Sequence, residues 1–270
     1  MSNPSPLVAE FTETGKGADC PVIDCHAHYG PFQGIYFPKV TAEAMIDSLD
    51  RCGVRWVICS GHAALVDPAR GNEEMADVVR RFPDRFRAYM ALNPNYPENL
   101  QAELERLDDL GGFVGLKFLS DYHQYPITGE KYVPAMEFAQ ARGLPILMHT
   151  WGRSAYDSPQ LVAELASRYP TVPLLMGHSG HGDWEGAIRT ALDHPAVYLE
   201  LCAAYAVNGV IEAFCERVGS ERVLFGTDLP WFDPHYGIGC VLHARITDEE
   251  RHNILHRNAE RLFGEALGHS

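Results

Sequence analysis

The residues best suited to chemistry begin in one short stretch, Val22-Ile23-Asp24-Cys25-His26-Ala27-His28, closed by Tyr29-Gly30-Pro31. Two β-branched residues lead into a His-x-His pair, and on a strand residues i and i+2 face the same side. His26 and His28 would then present two imidazoles side by side, able to reach one metal ion at about 2.0–2.1 Å. Four more polar residues, Lys117, His149, His178 and Asp228, each follow an apolar run and precede a loop. These are largely the residue types that a zinc-class ion accepts. Singly, each has an ordinary explanation. A strand-end histidine is commonly a packing residue, Asp228 can shape a turn before Pro230, and Lys117 can reach out to solvent.

The elements that must position them alternate regularly. Strands are expected at 22–28, 55–59, 86–92, 113–118, 144–149, 172–178, 197–201 and 222–228. Helical spacing or capping signals lie between them, such as Thr41 before an apolar stripe, Ser158-Pro159, and the capping box Thr247–Glu250. One helix is expected to run from Glu98 to Leu110. Eight strand–helix units in about 250 residues are the size of a single α/β domain closed as a (β/α)8 TIM barrel. An open doubly wound sheet fits less well, because no Gly-x-Gly-x-x-Gly or Walker loop occurs. Residues 1–20, polar and rich in Pro, Gly and Thr, read as a loose N-terminal arm or short hairpin, with the barrel over 21–270. In a barrel, function sits at the C-terminal ends of the strands, where all six polar residues fall.

Composition narrows the function further. The 270 residues carry 22 basic and 36 acidic side chains, a net charge of −14 with no Lys/Arg run, which argues against nucleic-acid and anionic-membrane partners. No apolar run approaches ~18 residues and no signal peptide is visible. The seven cysteines form no Cys-x-x-Cys pair and read as mostly buried thiols of a cytoplasmic protein. The partner expected is a small-molecule substrate, and homo-oligomerisation is left open.

Asp24-Cys-His-Ala-His28, Gly115-Leu-Lys117, Met148-His149-Thr150, Met176-Gly-His-Ser-Gly180 and Phe225-Gly-Thr-Asp-Leu-Pro-Trp231 resemble the successive signatures of the amidohydrolase superfamily, in order and spacing as well as type. The nearer likeness is to its amidohydrolase 2 branch, which also contains decarboxylases and lactonases. The resemblance spans roughly Val22 to Leu262 and implies a metal-dependent barrel enzyme. It places His26, His28, His149 and Asp228 at metal-ligand positions. His178 falls where binuclear members have a second ligand and mononuclear ones a catalytic or substrate-contacting histidine. Lys117 falls on the strand that carries a carboxylated lysine in binuclear members. One zinc ion is expected, and a second would follow if Lys117 were carboxylated.

The chemistry of the residues agrees with this. A metal on His26, His28 and His149 with an open position would lower the pKa of bound water towards ~7 and polarise a carbonyl. Asp228 could take the water's proton, a contribution of about 10²–10⁴-fold, and His178 could orient a substrate oxygen or protonate a leaving group. Loop candidates for binding are His62, Tyr122, Trp151, Arg153, His181 and Trp231. Arg153 stands out because a guanidinium pairs bidentately with a carboxylate. The expected activity is hydrolysis of an ester, lactone or amide bond in a small molecule that can carry a carboxylate. The alternative is metal-dependent non-oxidative decarboxylation of a small carboxylic acid, and a third reading is a barrel that binds a ligand without turning it over.

Overall fold

A computed structural model describes residues 5–268. Eight strands, β1 (Val22–Tyr29), β2 (Val54–Gly61), β3 (Phe86–Leu92), β4 (Phe113–Phe118), β5 (Ile146–Trp151), β6 (Leu174–His181), β7 (Val197–Glu200) and β8 (Val223–Leu224), alternate with helices. Each pairs in parallel with the next, in sequence order. The two edges meet through backbone bonds from Cys25 N–H to Phe225 O (2.9 Å) and from His28 N–H to Leu229 O (2.6 Å), so the sheet curls into the expected TIM barrel.

Period-two alternation separates two cores. Ile146 and Met148 of β5 and Leu174 and Met176 of β6 pack towards the helices. Ile58, Tyr89, Leu147, Leu175 and Leu224 fill the barrel interior, together with Phe263 and Leu267 from the C-terminal segment. Two residues beyond Ile58, Leu147 and Tyr198, on the same inward parity, stand Ser60, His149 and Glu200. The interior therefore changes from apolar to polar along the strands. In β1 the register shifts between Asp24 and Ala27, so strand parity does not extend from the histidine pair down to Asp24. That residue instead braces the chain beyond β8, accepting bonds from Thr227 N–H (3.0 Å) and Oγ1–H (2.5 Å) and from His26 N–H (3.1 Å).

Several elements differ from expectation for identifiable reasons. The N-terminal arm is not loose, since Pro6–Thr14 is a helix with Leu7 and Phe11 buried. Ser5 caps it by accepting Val8 N–H (3.0 Å), with proline at the first helical position. Residues 1–4 of the expected arm lie outside the described residues. The helix expected over 98–110 is two pieces, Pro97–Glu105 and Leu107–Leu110. The eighth strand pairs over two residues only, because later donors go elsewhere: Phe225 N–H to Ile254 O (3.2 Å) and Asp228 N–H to His26 O (2.7 Å). A helix at Pro234–His243 was not expected. It starts on Asp233, whose carboxylate accepts His235 N–H at 2.9 Å. The capping box Thr247–Glu250 is present as expected. All seven cysteines are free and six are buried. No described helix is long and apolar enough to cross a membrane.

With so short a β8, the last strand depends on side-chain support. Buried Asn258 donates through Nδ2 to Ser220 O (2.7 Å) and Val223 O (2.6 Å). Asn258→Ala leaves these carbonyls without that donor and is expected to cost about 1–3 kcal/mol. Chemical denaturation should show a lower midpoint at unchanged slope.

Candidate active site

A cavity of about 200 Å³ opens at the C-terminal ends of the strands. It is lined by His28, Lys117, His149, His178 and Asp228 at one end and by Tyr122, Trp151, Trp231, Phe232 and His62 around the walls. Of the residues singled out in the sequence, His26 lies just beneath, fully buried, and His181 packs behind Trp151 at a ring separation of 4.5 Å. Arg153 does not join them. It is exposed, sits in the left-handed region (φ 69°) and is absent from the cavity lining. The expectation that Arg153 pairs a substrate carboxylate put it in the mouth, whereas the structure leaves it on the exposed loop after β5, outside the cavity lining.

Three imidazoles at the polar end each have one nitrogen anchored by the protein. His26 Nδ1–H donates to Glu200 Oε2 (2.8 Å), His28 Nδ1 pairs with Ser60 Oγ (3.1 Å), and His149 Nδ1 pairs with the buried carboxylate of Asp157 (2.9 Å). The second nitrogens point elsewhere. His28 Nε2 lies 3.1 Å and His26 Nε2 3.5 Å from Asp228 Oδ1, and Lys117 Nζ lies 2.8 Å from His26 Nε2. One donor atom each of His26, His178, Cys202 and Asp228 falls within a 4.8 Å group. His149 stands across from His178, ring centroids 5.0 Å apart. Nδ1 of His178 is buried without a hydrogen-bond partner among the described residues. Anchored imidazoles around a carboxylate are the arrangement in which histidines ligate metals, so this donor set suits a divalent cation.

Charge at this end is held by burial and compensation. Burial lowers the Lys117 ammonium to about 8, with Asp228 and Glu200 pulling it back up. Burial alone would push the Asp228 carboxyl up, but the hydrogen bond with His28 and the His26 and His178 rings hold it well below the usual range. Burial drives His26 and His178 well below the ordinary imidazole range, so both stay neutral near pH 7. Two of these residues also carry backbone strain, His178 at φ 62° and Asp228 at φ 61°. Bonds over-determine both turns: His178 N–H to Glu200 Oε2 (3.1 Å), Ser179 Oγ–H to Glu200 O (2.8 Å), and Trp231 N–H to Asp228 O (2.7 Å).

The sequence reading missed Glu200, Asp157, Ser60 and Cys202. Glu200 had a legible signal, an acidic residue closing the apolar run of β7, much as Lys117 interrupts β4. The wall residues are also linked. His62 Nδ1–H donates to Gly30 O (2.7 Å) and its Nε2 accepts from Trp231 Nε1–H (3.1 Å), which fixes the neutral tautomer. Phe32 and Phe37 pack on Trp231 with ring separations of 5.0 and 4.9 Å.

The family model described as Amidohydrolase (Amidohydro_2) matches residues 23–264, and the chain is an enzyme of the amidohydrolase family. Within it, the chain is similar to the gamma-resorcylate decarboxylase of Polaromonas sp. (strain JS666 / ATCC BAA-500), 27% identical over 272 residues, covering 82% of this chain and 83% of that protein. The fold is shared with an uncharacterized TIM-barrel protein of Bordetella bronchiseptica (TM-score 0.76, 20% identity, 91% of this chain and 99% of that one). It is shared also with a dihydroxybenzoic acid decarboxylase of Polaromonas sp. JS666 with bound manganese and the inhibitor 2-nitroresorcinol (TM-score 0.74, 20% identity, 91% and 97%). The expectation of ester, lactone or amide hydrolysis is overturned by these decarboxylase relatives, which favour the alternative. The physical reason is that strand-end motifs report a mouth and its donors, while the bond broken depends on how loops present the substrate.

The His62–Trp231 bond makes a pH prediction. Burial first, and then neighbouring His28, push the His62 imidazole down to about 4 from 6.5. Between these values the unfolded chain binds the extra proton, so this contribution to stability is fully present above about pH 6.5 and is lost as pH falls through 4. Thermal melts from pH 7 to 4 should show a shallower decline in His62→Gln than in the parent, and parallel declines would contradict the assignment.

Proposed function

We propose that this chain is a metal-dependent, non-oxidative decarboxylase of a small aromatic carboxylic acid. The observation that carries the reading is the convergence of the Asp228 carboxylate and three anchored imidazoles at one end of a cavity walled by Tyr122, Trp151, Trp231 and Phe232. The gamma-resorcylate decarboxylase relative and the manganese in the Polaromonas structure support it.

In this reading His26, His28, His149 and Asp228 hold one divalent ion, three nitrogens and a carboxylate oxygen. Bound there, the ion supplies a positive charge that attracts a substrate carboxylate and a neighbouring hydroxyl. Zinc is the choice of a nitrogen-rich set by affinity order. Manganese is the competitor, and metal analysis of protein purified without chelator separates the two. Lys117 remains an unmodified lysine beside a single metal.

Loss of CO₂ breaks a carbon–carbon bond and requires a proton on the carbon left behind. Asp228, ionised at rest and facing the cavity, accepts the proton of an acidic substrate hydroxyl and returns it to that carbon. Water restores the hydroxyl proton at the end, so the net change is RCOO⁻ plus H⁺ to RH plus CO₂. His178, neutral and with a free Nδ1, donates to or accepts from the substrate's polar groups. Trp151 and Trp231 offer aromatic faces to the ring, and His62 acts through its hold on Trp231.

Two outcomes follow. Incubated with a panel of hydroxybenzoates and of aryl esters, lactones and amides, the metal-loaded enzyme should release CO₂ from the former and hydrolyse none of the latter. Exhaustive chelation should abolish turnover, and Zn²⁺ or Mn²⁺ should restore it. Hydrolysis without CO₂ release, or full activity after chelation, would overturn the reading. Asp228→Asn keeps the size and one ligating oxygen but removes the charge and the capacity to carry the proton. Its turnover per bound metal should fall by about 10²-fold or more, whereas His26→Ala should lose metal and activity together. A metal-replete Asp228→Asn enzyme with near-normal turnover would move the proton-carrying role to His178.

A further inference from the structure

A second group of metal-type donors lies away from the cavity. Cys20 sits just ahead of β1, at the end of that strand opposite His28, and forms a tight antiparallel bridge with Gly17. His252 closes the short helix Asp248–His252, and His256 lies in the π-helical turn Asn253–Arg257 that follows. One donor atom each of Cys20, His252 and His256 falls within a 4.8 Å group. Cys20 and His256 are buried and His252 is half-buried.

The geometry points to a metal site, and we propose that Cys20, His252 and His256 bind a zinc-type divalent cation with its fourth position open to solvent. His252 Nδ1 and His256 Nε2 are 3.0 Å apart, close to the roughly 3.3 Å that separates two nitrogens on a tetrahedral ion with bonds of about 2.0–2.1 Å. The other nitrogen of His256, Nδ1, donates to Glu260 Oε1 at 2.8 Å. That bond fixes the tautomer so that the Nε2 lone pair faces Cys20 and His252, the carboxylate backing that metal-ligating histidines require. A π turn is itself uncommon and concentrates at functional positions. Here it sets the two rings at 81° with centroids 5.3 Å apart, so they converge on one point rather than stack. A thiolate with two imidazoles selects zinc-class ions over magnesium or calcium. Binding releases the Cys20 S–H proton to solvent, and the proton that His252 Nδ1 shares with His256 Nε2 is replaced by one on His252 Nε2, so both imidazoles ligate as neutral rings.

The position gives the site a purpose. Cys20 precedes the first strand and the two histidines follow the last, so the ion would tie together the two edges of the sheet. That seam otherwise depends on a two-residue β8, on backbone bonds such as Cys25 N–H to Phe225 O (2.9 Å) and on the Asp24–Thr227 bonds, while the π turn itself is tied to β8 through Phe225 N–H to Ile254 O (3.2 Å). At the end of the barrel away from the cavity such a tie serves stability rather than chemistry. The proposal does not depend on the reading of the cavity.

The test uses the full-length chain dialysed against zinc, freed of excess ion and analysed for bound metal. Cys20→Ser and His252→Gln, the second at a half-buried position that tolerates change, should each bind one equivalent less than the parent. The zinc-dependent rise in melting temperature should also shrink in both. His26→Ala should retain this equivalent whatever it does at the cavity, which separates the two sites. Loaded with Co²⁺, the parent and His26→Ala should show a thiolate-to-cobalt charge-transfer band that Cys20→Ser lacks. That band must disappear with Cys20, because Cys202 lies near the cavity donors. If Cys20→Ser and His252→Gln bind as much zinc as the parent, or the cobalt band survives in Cys20→Ser, the three residues share only protons and the proposal is wrong.

Discussion

One buried carboxylate holds the mouth of this barrel together. Glu200 has no solvent exposure, and burial raises its carboxyl to about 8 while the N–H groups of Cys202 and His178 pull it back down. Its two oxygens accept from His26 Nδ1–H (2.8 Å), His178 N–H (3.1 Å) and Cys202 N–H (2.7 Å). A carboxyl so placed is tolerated only while its donors stay in position, since a buried polar group left unpaired costs about 1–3 kcal/mol and more when charged. The dependence runs both ways. The carboxylate orients the ring of His26, and it pins the left-handed turn that swings His178 to the cavity. Packing around it is tight, because a Cβ on Gly226 would lie 2.3 Å from Glu200 Oε1 and 2.7 Å from His26 Cβ. No side chain larger than hydrogen fits there without moving both.

The same economy recurs on the other strands. Asp157 backs His149, Ser60 backs His28 and Asp24 ties β1 to the chain beyond β8. None of these partners needs to touch a ligand. Asp157 and Ser60 leave the other nitrogen of each ring free, and so turn a set of histidines into a set of directed lone pairs. The strain at His178 and Asp228 belongs to the same design: two residues leave the regular strand conformation at the point where their side chains must face a ligand instead of a neighbour.

How far this could be read beforehand varied with the physics involved. The barrel was legible because eight apolar runs alternate with helical stripes, and parallel strands buried on both faces leave that signature. His26, His28, Lys117, His149, His178 and Asp228 were legible because a polar residue ending an apolar run in a barrel has one place to go. Glu200 ends its run in the same way and was passed over because a lone carboxylate among apolar residues does not resemble a ligand until its partners are known. Arg153 was misplaced because its position depends on a loop turn with positive φ, which strand periodicity does not encode. The N-terminal helix was missed although Ser5-Pro6 is a cap followed by proline, because turn-forming composition was weighed above that local signal. The bond broken was beyond reach altogether, since the same mouth serves hydrolysis and decarboxylation alike.

Charge bookkeeping at the mouth links the cation to the substrate class. Asp24, Glu200 and Asp228 are buried carboxyls, and among the described residues Lys117 is the one lysine or arginine lining the cavity. Its ammonium is itself depressed to about 8 by burial. Burial holds the His28 and His178 rings below the ordinary imidazole range, so they add no fixed positive charge, and Arg153, the nearest candidate in sequence, faces solvent. An anionic aromatic acid entering this cavity would therefore meet an end where Lys117 at most offsets the Asp228 carboxylate, with no net positive charge to receive it, in a medium that screens poorly. Aromatic walls attract the ring but not the carboxylate. A divalent ion among the imidazoles would give that end a net positive charge while costing little reorganisation, because the lone pairs are already aimed. Substrate carboxylate and metal thus belong to the same requirement: in a cavity without a free arginine, binding an acid calls for the cation.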